Sequence, residues 1–322
     1  MNTIGNKFRV SIFGESHGKC VGVLLDGVPA GISLSEDDFE ADLSRRRSGA
    51  KGTTPRKEAD KPSILSGVLE GYTTGAPIAI TFENATQHSS DYSDFKDMPR
   101  PGHADLTASR KFWDYNDLRG SGHFSGRMTL ALVAAGVVAK KIADFRYAAS
   151  LVQVGGLDDK SLWEEAIAAA QKEGDSLGGV VECSVEGVPA GLGEPFFDSV
   201  ESVISHLAFS IPGVRGVEFG DGFKASAMKG SEHNDPIVDF EGHTAKNGAG
   251  GVNGGITNGN SILFRVAFKP TSSIAKAQKT YNFATSKIET LTCKGRHDAC
   301  FALRTPVIVE AIAAIALADF VL

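Results

Sequence analysis

Residues 8–13 alternate apolar and polar side chains, as do residues 21–25, and a period of two is the mark of half-buried strands. Gly14-Glu15-Ser16-His17-Gly18 interrupts the alternation between them. After the turn Gly27-Val28-Pro29-Ala30-Gly31 the spacing becomes helical. Ser35 is the cap, Leu34 and Phe39 make the staple, Glu36, Asp37 and Asp38 suit the positive end, and Arg45-Arg46-Arg47 suit the negative end. Residues 64–69 and 77–82 read as further strands, and residues 129–143 as an apolar helix. In the second half the pattern gives a strand over 148–154, a helix capped by Ser161 with Glu164 and ended at Gly174, a strand over 179–185 and a helix over 199–209. The apolar tail, residues 307–322, is a core helix opened by Thr305 and Pro306. It is too short to span a bilayer and carries Glu310 and Asp319.

The pentapeptide at Gly27 recurs as Gly187-Val188-Pro189-Ala190-Gly191, each time after a strand and before a helix. This order predicts an internal duplication within a single domain, with pseudo-symmetric halves near 1–145 and 146–322 and ligands held between them. The Gly-rich loop at Gly250 would then be the counterpart of the loop at Gly120.

Composition refines this picture. With 42% hydrophobic and 22% charged residues among 322, the chain has the make-up of a soluble globular protein with a large core. A formal charge of −6 argues against a protein that grips nucleic acid with its whole surface, so any anion must meet a local basic patch. Cys20, Cys183, Cys293 and Cys300 form neither a CxxC pair nor a zinc spacing, which predicts reduced thiols, no metal site and a cytoplasmic setting. Residues 1–14 have no apolar core of a signal peptide, and no membrane attachment is expected.

Candidate chemistry clusters in loops. Arg119-Gly120-Ser121-Gly122-His123-Phe124-Ser125-Gly126-Arg127 runs into the helix at 129, where glycines and a helix start would suit an anion, or would simply make a sharp connection. The basic run at Arg45 continues through Lys51, Arg56 and Lys57 without apolar periodicity, as a phosphate-gripping loop would. His17 stands between glycines at a strand end, placed for chemistry or merely satisfying backbone groups in a polar turn, and His103 lies in the rigid turn Arg100-Pro101-Gly102-His103-Ala104-Asp105 that closes a long polar loop. Lys269-Pro270-Thr271-Ser272-Ser273 is either a phosphate holder or a turn, and Gly295-Arg296-His297-Asp298 serves an ion pair, a proton relay or neither.

These motifs, with Asn253-Gly254-Gly255-Ile256 and Gly187 to Gly193, resemble in content and order those of the chorismate synthase family, over the whole chain. The resemblance implies an α+β fold, a β-α-β sandwich with a helical layer between two antiparallel sheets, assembled as a homotetramer. It implies a 1,4-anti elimination of phosphate from 5-enolpyruvylshikimate 3-phosphate to chorismate. Reduced FMN is needed without net redox change, renewed by NADPH on the protein itself or by an external flavin reductase. It also implies roles. His17 protonates the leaving phosphate, His103 keeps the reduced flavin correctly protonated, and Asp298 with Ser16 passes the substrate proton. His123, Phe124, Ser125, Arg127, Pro212, Gly213, Gly254, Lys269, Pro270, Thr271, Ser272, Ser273 and Arg296 hold the flavin; Arg45, Arg46, Lys51, Arg119 and Arg296 hold substrate or phosphate. The central loop departs from the family's commonest form, and His123 stands where an arginine is usual, as a part-time cation toward the flavin phosphate. Two other readings remain: a flavoprotein oxidoreductase on this scaffold, and a non-catalytic anion-binding relative.

Overall fold

The structure is a computed structural model and describes residues 1–49, 52–53, 59–84, 95–293 and 297–322. The first half contributes β1 (Thr3–Ile4), β2 (Arg9–Gly14), β3 (Cys20–Asp26), α1 (Glu40–Arg46), β4 (Ser63–Ile64), β5 (Val68–Leu69), β6 (Tyr72–Thr73), β7 (Ile78–Glu83), α2 (Asp105–Phe112) and α3 (Thr129–Ile142). The second contributes β8 (Arg146–Val154), α4 (Trp163–Lys172), β9 (Gly179–Glu186), α5 (Val200–Ser210), β10 (Val214–Phe219), α6 (Gly230–His233), β11 (Val252–Asn253), β12 (Ile256–Thr257), β13 (Ile262–Phe268), β14 (Gln278–Asn282), β15 (Lys287–Leu291) and α7 (Pro306–Val321).

The alternating strands form a five-stranded sheet, β1-β2-β3-β7-β4, and a four-stranded sheet, β10-β13-β9-β8, both antiparallel. Val21, Val23 and Leu25 of β3 and Ile78, Ile80 and Phe82 of β7 turn inward and are fully buried, as period-two patterning requires. α7 is apolar except for Glu310 and, at its end, Asp319, and is buried from Val307 to Ala318, which places it between layers rather than on a surface. It packs on β8 and β9, while α3 packs on β3, and the two helices pack on each other. Their approach is close because Gly136 lies against Ala311; a Cβ there would sit 2.4 Å from the Ala311 Cβ. The fold is therefore the expected sandwich, with helices enclosed by the two sheets. No helix among the described residues is long and apolar enough to cross a membrane.

The same order recurs in both sheets, β2-β3-β7-β4 against β8-β9-β13-β10. Behind each GVPAG turn a two-residue hairpin supplies one threonine that makes the same bonds. Thr73 Oγ1 donates to Pro29 O (2.6 Å) and accepts from Ile32 N (2.9 Å); Thr257 Oγ1 donates to Pro189 O (2.7 Å) and accepts from Leu192 N (2.9 Å). The expected pairing of the glycine loops does not hold. The Gly250 loop leads into the β11–β12 hairpin, the counterpart of β5–β6, whereas the loop at Gly120 leads into α3, whose counterpart is α7. The cap before α4 also differs from expectation. Asp159 stands at the N-cap, and its carboxylate accepts from Ser161 N (2.9 Å) and from the Ser161 hydroxyl (2.7 Å). Residues 64–69 do not run as one strand, since Gly67 at φ +78° breaks them into β4 and β5.

Candidate active site

One cavity of about 790 Å³ opens where the end of α1, the start of α3, the turn before α2, the segment after α5 and the stretch before α7 meet. Its volume suits a small-molecule site, for which about 300–1,000 Å³ is usual.

The turn at Arg100 builds one wall. Asp105 begins α2, and the Arg100 guanidinium clasps its carboxylate with Nε on Oδ2 (2.8 Å) and Nη2 on Oδ1 (2.7 Å). The remaining donors of Arg100 reach Ser273 Oγ (2.8 Å) and Ser121 Oγ (3.2 Å), so a single buried arginine ties three sequence-distant loops together. Its flat face lies 4.3 Å from the Phe95 ring centroid. His103 Nδ1 is 2.7 Å from Asp105 Oδ1. Arg100 Nη2, which can only donate, lies 3.1 Å from the same nitrogen, but the carboxylate, which can only accept, is closer, and this favours the tautomer with the proton on Nδ1 and Nε2 as the acceptor. Burial lowers the His103 pKa, against the pull of Asp105, so the ring is neutral near pH 7. Burial would raise the Asp105 carboxyl, but Arg100 and His103 hold it well below the usual range.

The central loop lines the cavity and also packs on His17. Its backbone is left-handed at Gly120, Ser121 and Gly122, and Gly122 O accepts from Ser16 N (3.1 Å). Gly120 fits against the His17 ring and the Ser16 hydroxyl, so the close approach its missing side chain allows is to His17. His17 is buried directly behind Gly120 and Ser16, both of which line the cavity. The helix start is also occupied from within: Ser125 Oγ accepts from Arg127 N (3.3 Å), and Arg46 covers the carbonyls of Gly126 and Arg127. His123 lines the cavity, with Nδ1 on Gly14 O (2.8 Å) and Nε2 near Asn2 Oδ1 (3.3 Å). Its nitrogens thus face acceptors of the chain itself.

Of the basic run, Arg46 lines the cavity and is buried. Nε donates to Thr129 Oγ1 (3.1 Å), Nη1 to Asp60 Oδ2 (3.1 Å), and Nη2 to Gly126 O and Arg127 O (3.3 Å each). Asp60 also receives Arg127 Nη1 at 2.9 Å, so one carboxylate joins two guanidiniums. Arg45 does not face the cavity; its fork grips Glu310 (2.6 and 2.7 Å) inside the helical layer. Arg119 is exposed and paired with Asp117 (2.8 Å). Asp298 lines the cavity and accepts from Arg304 Nη2 (2.7 Å). Lys269 Nζ donates to Gly102 O (2.6 Å) and to the Ser272 hydroxyl, joining the loop 269–273 to the His103 turn.

The cavity therefore gathers Ser16, Arg46, His103, His123, Phe124, Ser125, Arg127, Pro212, Gly213, the whole of 269–273 and Asp298. Gly254 is not among its lining residues; at φ +62° it forms the hairpin turn between β11 and β12. Lys51 and Arg296, with Arg56 and Lys57, lie outside the described residues. Sequence reasoning did not single out Arg100, Asp105, Asp60, Ser121 or Arg304. Opposite charges flanking His103 inside a rigid turn were the available sign for the first two. Asp60 and Arg304 had none, because their partners are remote in the chain.

A family model described as chorismate synthase matches residues 8–322. The chain is 59% identical over 324 residues to a chorismate synthase of Chitinophaga pinensis, covering 100% of this chain and 97% of that one. It is 45% identical over 348 residues to a chorismate synthase of Korarchaeum cryptofilum, covering 99% and 96%. The crystal structure of a chorismate synthase matches with a TM-score of 0.75 and 29% identity, over 98% of this chain and 92% of that one.

Proposed function

The chain belongs to the chorismate synthase family and is a carbon–oxygen lyase; on that premise we propose that the cavity is its active site. In this reading the substrate is 5-enolpyruvylshikimate 3-phosphate, which loses phosphate and a ring proton to give chorismate. The observation that carries it is the His103–Asp105 pair at 2.7 Å, a neutral imidazole with a defined acceptor nitrogen, in one cavity with Ser16, Arg46 and Asp298. Binding alone has no need of such proton-transfer groups.

The lining fits reduced FMN in chemistry. Pro212, Gly213 and Phe124 offer apolar surface for a flat ring, and Ser125, Thr271, Ser272 and Lys269 offer donors for a phosphate or carbonyl. Reduced FMN held there would supply the electron density that carbon–oxygen cleavage calls for, with no net redox change. His103 Nε2, the acceptor nitrogen, takes up a proton at this wall of the cavity. His17 acts from behind Gly120, its proton reaching the leaving phosphate by way of the Ser16 hydroxyl. Asp298 accepts the substrate proton, and the buried Arg46–Asp60–Arg127 cluster keeps the floor positive and fixed. We further propose a cytoplasmic homotetramer whose flavin is reduced by NADPH or by a separate reductase. Exposed Phe13, Leu24, Phe196 and Phe197 support association, and sedimentation tests it.

Protein, dithionite-reduced FMN and substrate are mixed under argon, and chorismate and phosphate are measured together. Equal amounts with flavin left reduced are expected. His17→Ala and His103→Ala should each slow turnover by roughly ten- to ten-thousand-fold with the fold retained. Near-normal turnover at pH 7 for either variant would reject its role.

A further inference from the structure

Asn84 follows β7 directly and lies beside the start of β3, because Glu83 of β7 pairs with Cys20. That register brings its side chain to the turn Glu15-Ser16-His17-Gly18, which joins β2 to β3 and carries His17. Asn84 Nδ2 donates to Glu15 O (3.0 Å) and to Gly18 O (2.9 Å), and Oδ1 accepts from Arg127 Nε (2.6 Å). The amide has one possible orientation here, since both carbonyls can only accept and the guanidinium can only donate. Both of its N–H groups are thereby committed to the two carbonyls that bracket Ser16 and His17. Within the turn Gly18 N donates to Glu15 O (3.0 Å), so the bond from Asn84 takes the second lone pair of that oxygen.

The support behind Asn84 is buried and cross-linked. The other nitrogens of Arg127 reach Asp60 Oδ1 (2.9 Å) and Glu83 O (3.4 Å), and Asp60 also receives Arg46 Nη1 (3.1 Å). The central loop grips the same turn separately. Ser16 N donates to Gly122 O (3.1 Å), His123 Nδ1 donates to Gly14 O (2.8 Å), and Gly120 packs against the His17 ring. Asn84 itself is half-buried and is not among the residues that line the cavity. Its path to the chemistry therefore runs through the backbone of the turn.

We infer that Asn84 is a positioning residue: by tying the carbonyls of Glu15 and Gly18 to the buried Arg127 it sets the place of the His17 ring, and with it the rate of proton delivery. The inference rests on His17 acting as the acid for the leaving phosphate. A residue that acts in this way governs turnover and leaves ligand binding alone, because it meets neither substrate nor flavin.

The test uses Asn84→Asp and Asn84→Ala in the argon assay, with kcat counted per FMN-binding site so that misfolded protein does not enter it. Asn84→Asp keeps the shape and an acceptor for Arg127, but turns an oxygen toward the two carbonyls. Asn84→Ala removes the bonds without that repulsion, and where one variant does not fold the other carries the test. Each should lower kcat by about ten- to a hundredfold, while KM and the Kd of FMN stay near wild type. The deciding measurement is coupling. On a His17→Ala background Asn84→Ala should cost nothing further, since the ring that it positions is gone. A general loosening of the fold would slow His17→Ala again by a similar factor. Near-wild-type kcat, a change confined to KM, or a further tenfold loss on the His17→Ala background overturns the inference. Near-normal turnover of His17→Ala by itself would instead overturn the functional reading beneath it.

Discussion

At Gly120 an added methyl group would lie 2.3 Å from His17 Cδ2 and 2.5 Å from Nε2, on a backbone at φ +57°. Gly120→Ala should therefore push the imidazole out of place and slow turnover by about a hundredfold, since misplacing a reacting group by an ångström costs that much. The strained backbone adds about 1–3 kcal/mol of destabilisation, readable in urea. A variant with full turnover would show that the His17 position is not critical. His103 makes a prediction about pH. Its proton affinity is lower folded than unfolded, by burial first, with Asp105, Arg100 and Lys269 as the charges facing it. The unfolded chain then binds more protons, so the stability this residue contributes is full above its unfolded pKa, about 6.5, and declines as pH falls below that. The difference in unfolding free energy between wild type and His103→Gln should shrink from pH 7 to pH 5; a constant difference would mean the ring is not buried neutral. Both histidines could be picked from the sequence by their glycine and proline neighbours. What holds them could not, because Gly120 and His17 are a hundred residues apart in kind as well as place: one looked like a ligand loop.

Among the elements, α7 contains the clearest conflict between pattern and content. Its apolar run fixes it as a core helix, yet Glu310 is buried in it, 3% exposed. Arg45 from α1 (2.6 Å), Lys140 from α3 (3.1 Å) and Ala149 N from β8 (3.0 Å) all meet this carboxylate. Burial would raise its pKa, but Arg45 and Lys140 hold it below the usual range. Glu310→Gln leaves their charges facing an uncharged group and should destabilise the protein by about 3–5 kcal/mol, the usual cost of breaking a buried ion pair. By the same sign argument the wild-type advantage is present above the unfolded carboxyl pKa, about 4.3, and is lost as pH falls below it. Denaturant unfolding at pH 7 and pH 3 measures both; equal stability of variant and wild type at pH 7 would remove Glu310 from the account. Arg45 could be read from sequence only as one of three adjacent arginines. Helix phase sends Arg45 inward to Glu310 and Arg46 to the cavity floor, and that phase is decided by packing.

For the molecule as a whole, the repeated threonines offer a quantitative check of the two-fold plan. Thr73 and Thr257 are both buried and make matching side-chain bonds to matching turns. Thr73→Val and Thr257→Val should each cost about 1–3 kcal/mol. With no shared partner, the double variant should cost their sum to within about 0.5 kcal/mol. Strongly unequal values would show that the halves share a pattern without sharing its energetics.

The sequence by itself determined most strands of both sheets, the buried helices, the recurrence of the turn and the motifs that the fold brings to the cavity, because each of these is written locally as a period, a cap or a short motif. Its limit is equally physical. Which glycine makes room for which side chain, and how many of an arginine's donors are already taken, are properties of pairs distant in the chain. Arg46, legible in the sequence as part of a basic run, makes four hydrogen bonds on the floor of the cavity, while Arg304, without any local sign, makes one among the described residues. A charged side chain's function depends on how many of its donors the fold has already satisfied, and only the tertiary structure decides that number.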